Sequence, residues 1–483
     1  MNKSLTSPIL PHVLIFPAPG QGHVNSMLKL AEVLCLSGLH RITFFNFQII
    51  HENLIRCSDI ESRFVSKYPG FQFKTIPDCF LVSDGPKDPA DWLREFLDAT
   101  KKKSKPILKK LLIESNPPVT YIIGDMITSF IHDVASELGI PSIQFHTISA
   151  CAMWIFYSVP DIIAAHQLPI KGEEDMDRLI TAVPGMETIL RCRDLPKKIV
   201  QVDDINNPNL LMNRNEMREA ESLILNTFEE LEGPILSQIR TRYPKVYAIG
   251  PIHELLKTKL ESMNKKESYS SSNSLQQVDR SCIDWLDKQP LHSVVYVSFG
   301  SVTLMTRDQF MELWYGLANS KQRFLWVIRS DSLVDEDGNV LENIPVEVEM
   351  GPKERGYVVS WAPQEEVLGH KAIGGFWTHS GWNSTLESIV AGVPMICWPY
   401  YGDQQVNSRF VGEVWKLGLD MKDTCDRNIV EKMVNDLMVD RREEFVKSAA
   451  EMAELARNSV KEGGSSACNL DSLIEDINLR SMK

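Results

Sequence analysis

The chain has little of what a secreted or nucleic-acid-binding protein requires. Its nine cysteines are an odd number and form no C-x-x-C pair, so neither a disulfide framework nor a zinc site is indicated. Free thiols in a reducing compartment are expected instead. A net charge of −13 argues against binding to phosphate backbones, and the basic cluster Lys101–Lys103 is short. The composition therefore predicts no nucleic-acid partner.

Targeting and membrane signals are lacking as well. The opening residues, MNKSLTSPILPH, do not form a basic-then-apolar signal segment, and no apolar run is long enough to span a bilayer. We therefore expect a cytoplasmic protein without a transmembrane segment, acting as a monomer. A length of 483 residues with 43% apolar content exceeds one ordinary core and predicts two domains.

Apolar strands alternate with helical patterns in both halves of the chain. The predicted strands are HVLIFP, RITFFNF, TYIIGD, PSIQFH, VVYVSFG, RFLWVIR, GYVVSW, GGFWTH and PMICWP. Such alternation predicts the α/β class, with parallel, doubly wound sheets. We expect a Rossmann-like domain at 1–251, a Ser-rich linker at 252–280, a second Rossmann-like domain at 281–460 and a final helix at 461–483.

The most informative stretch runs from Trp361 to Gln404. Its strand IGGFWTH, turn SGWNS and helix TLESIVAG form a phosphate cradle, because the first N–H groups of a helix lack internal partners and favour an anion. The string STLE at 384–387 alone would fit a capping box that serves only helix stability. A flat aromatic ring upstream and Asp403 downstream favour a nucleotide site, since a cap requires neither. The two roles can also coexist.

The first half carries a candidate general base. His23 follows the first strand, at the edge where open α/β sheets bind ligands, and the positive end of the helix there favours a neutral imidazole. General base catalysis near physiological pH needs that neutral form. Asp125, at the end of another predicted strand, could accept the second ring N–H and fix the tautomer. A structural histidine is the alternative. The segment 20–25 lacks the third glycine of a dinucleotide fingerprint, which disfavours NAD.

These segments together resemble the plant secondary-product glycosyltransferases that use UDP-sugars. The resemblance rests on the stretch 361–404 and on VLIFPAPGQGHVNSMLKLAEVL, LILNTFEELEGPIL and VVYVSFGS, and it covers nearly the whole chain. It implies the GT-B fold, with two facing Rossmann-like domains that hold mainly acceptor and mainly donor. The final segment would cross back to the first domain. His23 and Asp125 match the catalytic dyad of this family.

The resemblance also implies the donor-binding positions. Uracil and ribose would be held by Trp361, the Ala362 backbone, Gln364 and Glu387. The phosphates would be held by His379, Asn383, Ser384 and Ser301, and the sugar by Trp382, Asp403, Gln404 and Thr147. A glutamine ending the stretch is associated with glucose, so UDP-glucose is the expected co-substrate. No other cofactor is expected.

The implied reaction is an inverting, metal-independent glucosyl transfer that yields a β-glucoside. Metal-dependent transfer often uses an Asp-x-Asp pair, and the residues 175–177 and 335–337 both fit that pattern. Because so short a pattern is common by chance, solvated loop charge is the favoured interpretation of both.

The acceptor pocket is expected among loops of the first half. Its candidate residues are Phe80 to Asp84, Gly22, Met126, His146 to Met153, the stretch VPGMETILRCRDLP at 183–196 and, from the second half, Tyr401. These loops are rich in Met, Phe and Ile, which favours a compact apolar acceptor. Trp154 and Phe156 fit the core better, and RDLP is a recurring family string, so Arg191 and Arg193 are expected to be structural.

The amino-acid sequence is similar overall to those of the subgroup that glucosylates iridoids and related monoterpenoids, such as 7-deoxyloganetic acid. Attack by a hydroxyl or by a carboxyl group fits equally. A phenolic or flavonoid acceptor is the alternative within the family. A UDP-sugar epimerase and a catalytically silent UDP-sugar binder are the alternatives of another class.

Overall fold

A computed structural model describes residues 10–78, 89–197, 199–200, 222–263, 274–335, 339–341, 345 and 355–481, without the side chains of 89–98. The chain divides into two compact units. The first takes in the described residues of Met1–Ala150, Leu211–Gln276 and Asn458–Lys483, and the second those of Cys151–Leu210 and Gln277–Arg457. The sequence places 151–210 in the domain 1–251, whereas the structure groups the described residues of this segment with the second unit.

The first unit is built on a seven-stranded parallel sheet. Its strands are β1 (Val13–Phe16), β2 (Ile42–Phe47), β3 (Phe71–Ile76), β4 (Tyr121–Asp125), β5 (Ser142–His146), β6 (Ser222–Leu225) and β7 (Lys245–Ala248). Strand β1 is wholly buried, and most positions of its neighbours β2 and β4 are too. Helices cover both faces of such a sheet, which is why its central strands are continuous apolar runs.

Helices follow most of these strands. They are α1 (Gln21–Leu36), α2 (Gln48–Cys57), α3 (Ile60–Lys67), α4 (Pro89–Ile113), α5 (Phe130–Leu138), α6 (Ala150–Ala164), α7 (Glu229–Arg240), α8 (Ile252–Ser262) and, from the end of the chain, α16 (Ser465–Ser481). All but α6 belong to the first unit, and α6 lies in the second except for its first residue. Helix α16 contributes Leu470, Leu473 and Ile477 to the core of the first sheet.

The strand order of the first sheet is β3-β2-β1-β4-β5-β6-β7. The chain winds outward from β1 through β2 to β3, then returns to β4 on the other side of β1. This reversal is a topological switch point, and the loops after β1 and β4 part there to leave a crevice that binds ligands in open α/β sheets. His23 and Asp125 follow these two strands.

The second unit has a six-stranded parallel sheet in the order β12-β10-β8-β13-β14-β15. These strands are β8 (Val294–Ser298), β10 (Arg323–Val327), β12 (Gly356–Val359), β13 (Ile373–Thr378), β14 (Met395–Cys397) and β15 (Gly418–Asp420). A separate two-stranded ladder joins β9 (Met305–Thr306) to β11 (Leu333–Val334). The switch point of the larger sheet lies between β8 and β13, because β10 and β12 extend to one side and β14 and β15 to the other.

The helices of the second unit cover this sheet. Besides α6 they are α9 (Ser281–Leu286), α10 (Arg307–Asn319), α11 (Gln364–Leu368), α12 (Trp382–Ala391), α13 (Gln404–Arg409), α14 (Arg427–Asn435) and α15 (Arg442–Ser459), whose last two residues fall in the first unit. Aromatic side chains dominate the core, with Phe299 edge-on to Trp377 and Trp398. Two parallel α/β sheets confirm the predicted fold class.

A buried ion cluster explains why part of 151–210 belongs to the second unit. The carboxylate of Asp194, with no exposed side-chain surface, accepts hydrogen bonds from Arg191 and Lys422 and pairs with Arg409 at 3.5 Å. Lys422 also pairs with Asp420 at 3.2 Å. Because these partners lie on or beside β15 and α13, they hold the segment around Asp194 on the second sheet. Arg191 is therefore structural, as expected.

Candidate functional site

The first sheet brings His23 and Asp125 together. Helix α1 begins at Gln21, so His23 lies in its first turn, and Asp125 is the last residue of β4. The His23 Nδ1 and Asp125 Oδ2 atoms are 2.7 Å apart, with side-chain exposures of 23% and 0%. A carboxylate at Nδ1 favours the tautomer in which that nitrogen carries the proton, which leaves Nε2 as the basic nitrogen.

Further hydrogen bonds fix this pair. The second oxygen of Asp125 accepts from the Ile127 backbone N–H at 2.9 Å, so the carboxylate cannot rotate freely. The Thr147 hydroxyl oxygen lies 3.0 Å from His23 Nδ1, and Thr147 is only 6% exposed. It directly follows β5, the neighbour of β4. The imidazole is thus held by side chains from the ends of two adjacent strands.

The predicted acceptor residues have mixed positions. Gly22 and Tyr401 are half-buried. Met126, His146 and Met153 are buried, as core residues are. Burial lowers the pKa of His146 to about 4, and neither of its ring nitrogens has a hydrogen-bond partner in the described part of the chain. Contact of these five residues with an acceptor stays a prediction.

The other expectations about the first-half loops have clearer outcomes. The candidates Phe80 to Asp84 lie outside the described residues. Trp154 is 2% exposed and donates its indole N–H to the Pro184 carbonyl at 2.9 Å, which confirms it as a core residue. Phe156 is only half-buried.

The turn after β13 has the predicted form of strand, turn and helix. Strand β13 ends at Thr378, Ser380 has a positive φ of 64°, and α12 begins at Trp382. Ser384 is therefore the third residue of the helix, and Gly381 occupies the cap position without a side-chain hydrogen bond. The capping-box alternative for 384–387 is wrong, because the helix begins three residues earlier than a cap at Ser384 requires.

Side chains from α11 and α12 form a polar cluster beside this turn. The Gln364 amide nitrogen donates to the Ser384 hydroxyl and to the Glu387 carboxylate, each at 2.8 Å. The Tyr296 hydroxyl donates to the Gln364 amide oxygen at 3.3 Å. Trp361, just before α11, is half-buried, whereas Ala362 is 6% exposed. Positions predicted for uracil, ribose and phosphate thus lie next to one another here.

The loop after β14 connects to the same turn. Asn407 donates to the Ser380 carbonyl at 2.9 Å and to the Asp403 carboxylate at 2.7 Å. The side-chain oxygen of Gln404 accepts from the backbone N–H groups of Tyr400 and Tyr401 at 2.8 and 3.0 Å, and Gln404 is 4% exposed. Asn407, which the sequence does not single out, is therefore the physical link between the phosphate turn and the predicted sugar-binding residues.

Three remaining donor candidates differ in their surroundings. Asn383 lies in the first turn of α12 and is half-buried, so its side chain is partly accessible, as a hydrogen bond to a phosphate requires. Trp382 is 3% exposed, with its ring centroid 6.2 Å from that of Trp415, so its indole is packed in the interior. Ser301 is half-buried in the loop after β8, on the other side of the switch point.

His379 and Arg329 complete this edge of the sheet. Burial lowers the pKa of His379 to about 4, and the positive charge of Arg329 acts in the same direction, so this imidazole is neutral at physiological pH. Arg329 is not predicted from the sequence. The available signal was the charged residue that ends the apolar run FLWVI, in the predicted strand that follows the one carrying SFGS.

The Asp-x-Asp pattern at 175–177 is exposed loop charge. Asp177 is 68% exposed and pairs with Arg193 at 2.7 Å, which is consistent with solvated loop charge and with the expected structural role of Arg193. Of the residues 335–337, the last two lie outside the described ranges. Within those ranges, no three His, Cys, Asp or Glu side chains are grouped as metal ligands. No described helix is long and apolar enough to cross a bilayer.

Comparison with known proteins agrees with this geometry. Residues 266–446 match the family model described as UDP-glucoronosyl and UDP-glucosyl transferase. The chain is 54% identical over 479 residues to a 7-deoxyloganetic acid glucosyltransferase of Catharanthus roseus, covering 97% of this chain and 98% of that protein. It is 44% identical over 476 residues to a myricetin 3-O-rhamnoside 1,2-glucosyltransferase of Crocosmia x crocosmiiflora, covering 96% and 95%.

A solved structure supports the same conclusion. A glycosyltransferase of Medicago truncatula complexed with UDP-glucose aligns with a TM-score of 0.76 at 29% identity, covering 97% of this chain and 98% of that one. The chain therefore belongs to the UDP-glucosyltransferase family, and it has the GT-B fold class of such enzymes. A UDP-sugar is its co-substrate, as the sequence predicts.

Proposed function

We propose that this enzyme transfers glucose from UDP-glucose to an iridoid acceptor of the 7-deoxyloganetic acid type and inverts the anomeric configuration. The observation that carries the proposal is the 2.7 Å contact between His23 Nδ1 and Asp125 Oδ2 at the switch point of the first sheet. The 54% identity to the Catharanthus roseus enzyme supports the acceptor class.

The chemistry starts at His23. Its Nε2 takes the proton of an acceptor hydroxyl group, and Asp125 stabilises the imidazolium that results, whereas an acceptor carboxyl group is already ionised at physiological pH and attacks as the carboxylate. The acceptor oxygen attacks the anomeric carbon of α-linked glucose, the bond to the diphosphate breaks on the opposite face, and a β-glucoside and UDP leave. In this proposal the negative charge that builds on UDP is stabilised by donors at the first turn of α12, together with His379 and Ser301.

The donor would be gripped by residues of the second unit. Trp361 and Ala362 are assigned to uracil, and Gln364 with Glu387 to the ribose, because the Gln364 and Glu387 side chains already form one hydrogen-bonded cluster. The sugar is assigned to the loop at 403–404. Metal independence, a monomeric state and location in the cytoplasm are proposed from the sequence.

The decisive experiment offers UDP-glucose with 7-deoxyloganetic acid or with a flavonoid rhamnoside, and follows the products by mass spectrometry and NMR. We expect a β-glucoside of the iridoid, activity that survives EDTA, and a rate lower by about 10²–10⁴-fold in His23→Ala. A glucosylated flavonoid as the only product would favour a flavonoid acceptor. The 44% identity to the Crocosmia x crocosmiiflora enzyme supports that second candidate.

Four results would contradict the proposal. A new UDP-sugar formed without acceptor indicates an epimerase, and tight binding without any product indicates a silent binder. Full turnover by His23→Ala would remove the imidazole from the mechanism, and loss of activity in EDTA would remove metal independence.

A further inference from the structure

Arg329 is a buried cation at the carboxyl edge of the second sheet. It comes two residues after β10, which pairs with β8, so it lies beside the loop that leaves β8. Its residue exposure is 8%. One guanidinium nitrogen, Nη1, donates to the Gly300 carbonyl at 2.6 Å, and Nη2 donates to the Thr303 carbonyl at 3.3 Å. The planar fork therefore spans both ends of the loop 300–303.

His379 also confines this loop. Gly300 has a φ of +76°, and a methyl group added there would lie 2.5 Å from His379 Nε2. Atoms that close cannot coexist, so the imidazole packs directly on the backbone of the loop. Gly300 is thus fixed between a guanidinium that binds its carbonyl and an imidazole that packs against its α-carbon. Ser301, one of the predicted phosphate-binding residues, is the next residue.

The charge of Arg329 is only weakly neutralised. Its Nε atom donates to Asp331 at 2.9 Å, but the side chain of Asp331 is 61% exposed, so water screens that carboxylate. The guanidinium itself is buried and screened less. Although burial raises the pKa of Tyr401 to about 12, the positive charge of Arg329 acts to lower the pKa of both Tyr401 and His379. A positive potential at this edge favours an anionic ligand.

We propose that Arg329 is a positioning residue for the diphosphate of the donor. Its fork holds the carbonyls of Gly300 and Thr303 and so fixes Ser301, and its buried charge favours the two phosphates. The inference rests on the proposed function, because it assumes that a UDP-sugar binds at this edge. It adds to that function a residue remote from the stretch 361–404.

The test compares a ligand that has the diphosphate with one that lacks it. Binding of UDP and of uridine is measured by calorimetry and ligand-observed NMR for the wild type, Arg329→Gln and Arg329→Lys. We expect Arg329→Gln to weaken UDP binding at least about tenfold with uridine unchanged, as loss of charged hydrogen bonds requires. Arg329→Lys keeps the charge but lacks the planar fork, so its UDP affinity should lie between those of the wild type and Arg329→Gln.

A matched control comes from the same strand. Arg323 begins β10 at the opposite edge of the sheet, so Arg323→Gln removes one charge and should leave the UDP-to-uridine affinity ratio unchanged. Equal loss of both ligands in Arg329→Gln, or no loss of UDP, would overturn the inference. Failure of the wild type to bind UDP would instead overturn the proposed function, so the two failures are distinguishable.

Discussion

The carboxylate of Asp125 affects catalysis through the imidazole that it holds. It has no exposed side-chain surface, and its contact with His23 fixes the tautomer that leaves Nε2 basic. In Asp125→Asn the amide keeps the shape of the side chain but loses the charge. We expect kcat to fall about 10²–10⁴-fold, with the KM for UDP-glucose unchanged.

Steady-state kinetics with both substrates measures this effect. The control is Asp133→Asn, which makes the same substitution on a carboxylate that is 39% exposed and pairs with Lys105. The control should keep wild-type kinetics. An Asp125→Asn enzyme as active as this control would refute the role of the dyad.

Substitutions at Thr147 test whether the His23 imidazole needs a second hydrogen-bonding partner besides Asp125. Its hydroxyl oxygen is 3.0 Å from His23 Nδ1, although the sequence assigns Thr147 to the transferred sugar. Thr147→Val removes the hydroxyl at nearly constant volume. If the hydroxyl orients His23, kcat falls by about tenfold and the KM for UDP-glucose stays constant.

Thr147→Ser restores the hydroxyl and should restore kcat. A rise in the KM for UDP-glucose with constant kcat would instead support the sugar contact. Both parameters come from the same initial-rate measurements, so one data set separates the two roles.

At the scale of elements, the loop after β8 depends on a glycine. A methyl group at Gly300 would meet His379 Nε2 at 2.5 Å, and the φ of +76° is itself unfavourable for other residues. Gly300→Ala must therefore displace either the loop or the imidazole. We expect UDP affinity to fall by more than about tenfold, because both groups belong to the proposed diphosphate site.

The backbone strain alone is measured by Gly463→Ala. Gly463 has a φ of +79°, and a methyl group there would meet nothing within 4 Å. This control should lose only about 1–2 kcal/mol of stability and bind UDP normally. Equal UDP affinity in both variants would mean that the close packing of His379 on Gly300 is irrelevant to binding.

Nine of the described strands in the two larger sheets lie in or overlap apolar segments that the sequence predicts, and four do not. The predicted segments VVYVSFG and GGFWTH contain or overlap β8 and β13 because both strands are buried throughout. The sequence does not predict β3, where Gln72 and Lys74 interrupt the apolar run, β15, which has three residues, or β6 and β7, which have four residues each. β3 and β15 are edge strands, and each is formed by pairing with one neighbouring strand rather than by its own apolar sequence.

The same distinction holds for the site. Residues that end or follow a recognisable strand, such as Asp125 and His23, can be proposed from the order of elements and from the family resemblance. Arg329 and Asn407 are missed because each acts through a hydrogen bond to a distant backbone carbonyl. Arg329 donates to Gly300, 29 residues away, and Asn407 donates to Ser380, 27 residues away. No local pattern carries that information.

At the scale of the whole molecule, the buried ion cluster around Asp194 predicts acid sensitivity. Burial alone would raise the pKa of this carboxyl, but the hydrogen bond from Arg191 and the charge of Lys422 hold its pKa below the usual range. A group with a depressed folded pKa adds stability above its unfolded pKa of about 3.9 and loses it as pH falls below that value.

In Asp194→Asn the cations lose their buried carboxylate, and we expect about 3–5 kcal/mol of destabilisation at pH 7. The difference from wild type should shrink as the pH falls further below about 4, since wild-type Asp194 then becomes protonated as well. Thermal unfolding across this range measures it. The exposed pair of Asp423 with Arg193 is the control, and Asp423→Asn should lose under about 1 kcal/mol.

The first unit also has a consequence for biosynthesis. It is assembled from three stretches of chain, and α16 supplies Leu470, Leu473 and Ile477 to its core. During translation, these side chains emerge from the ribosome only after every residue of the second unit has emerged. Until then the nascent polypeptide bears an unfinished apolar surface, the condition under which newly made proteins aggregate or engage chaperones.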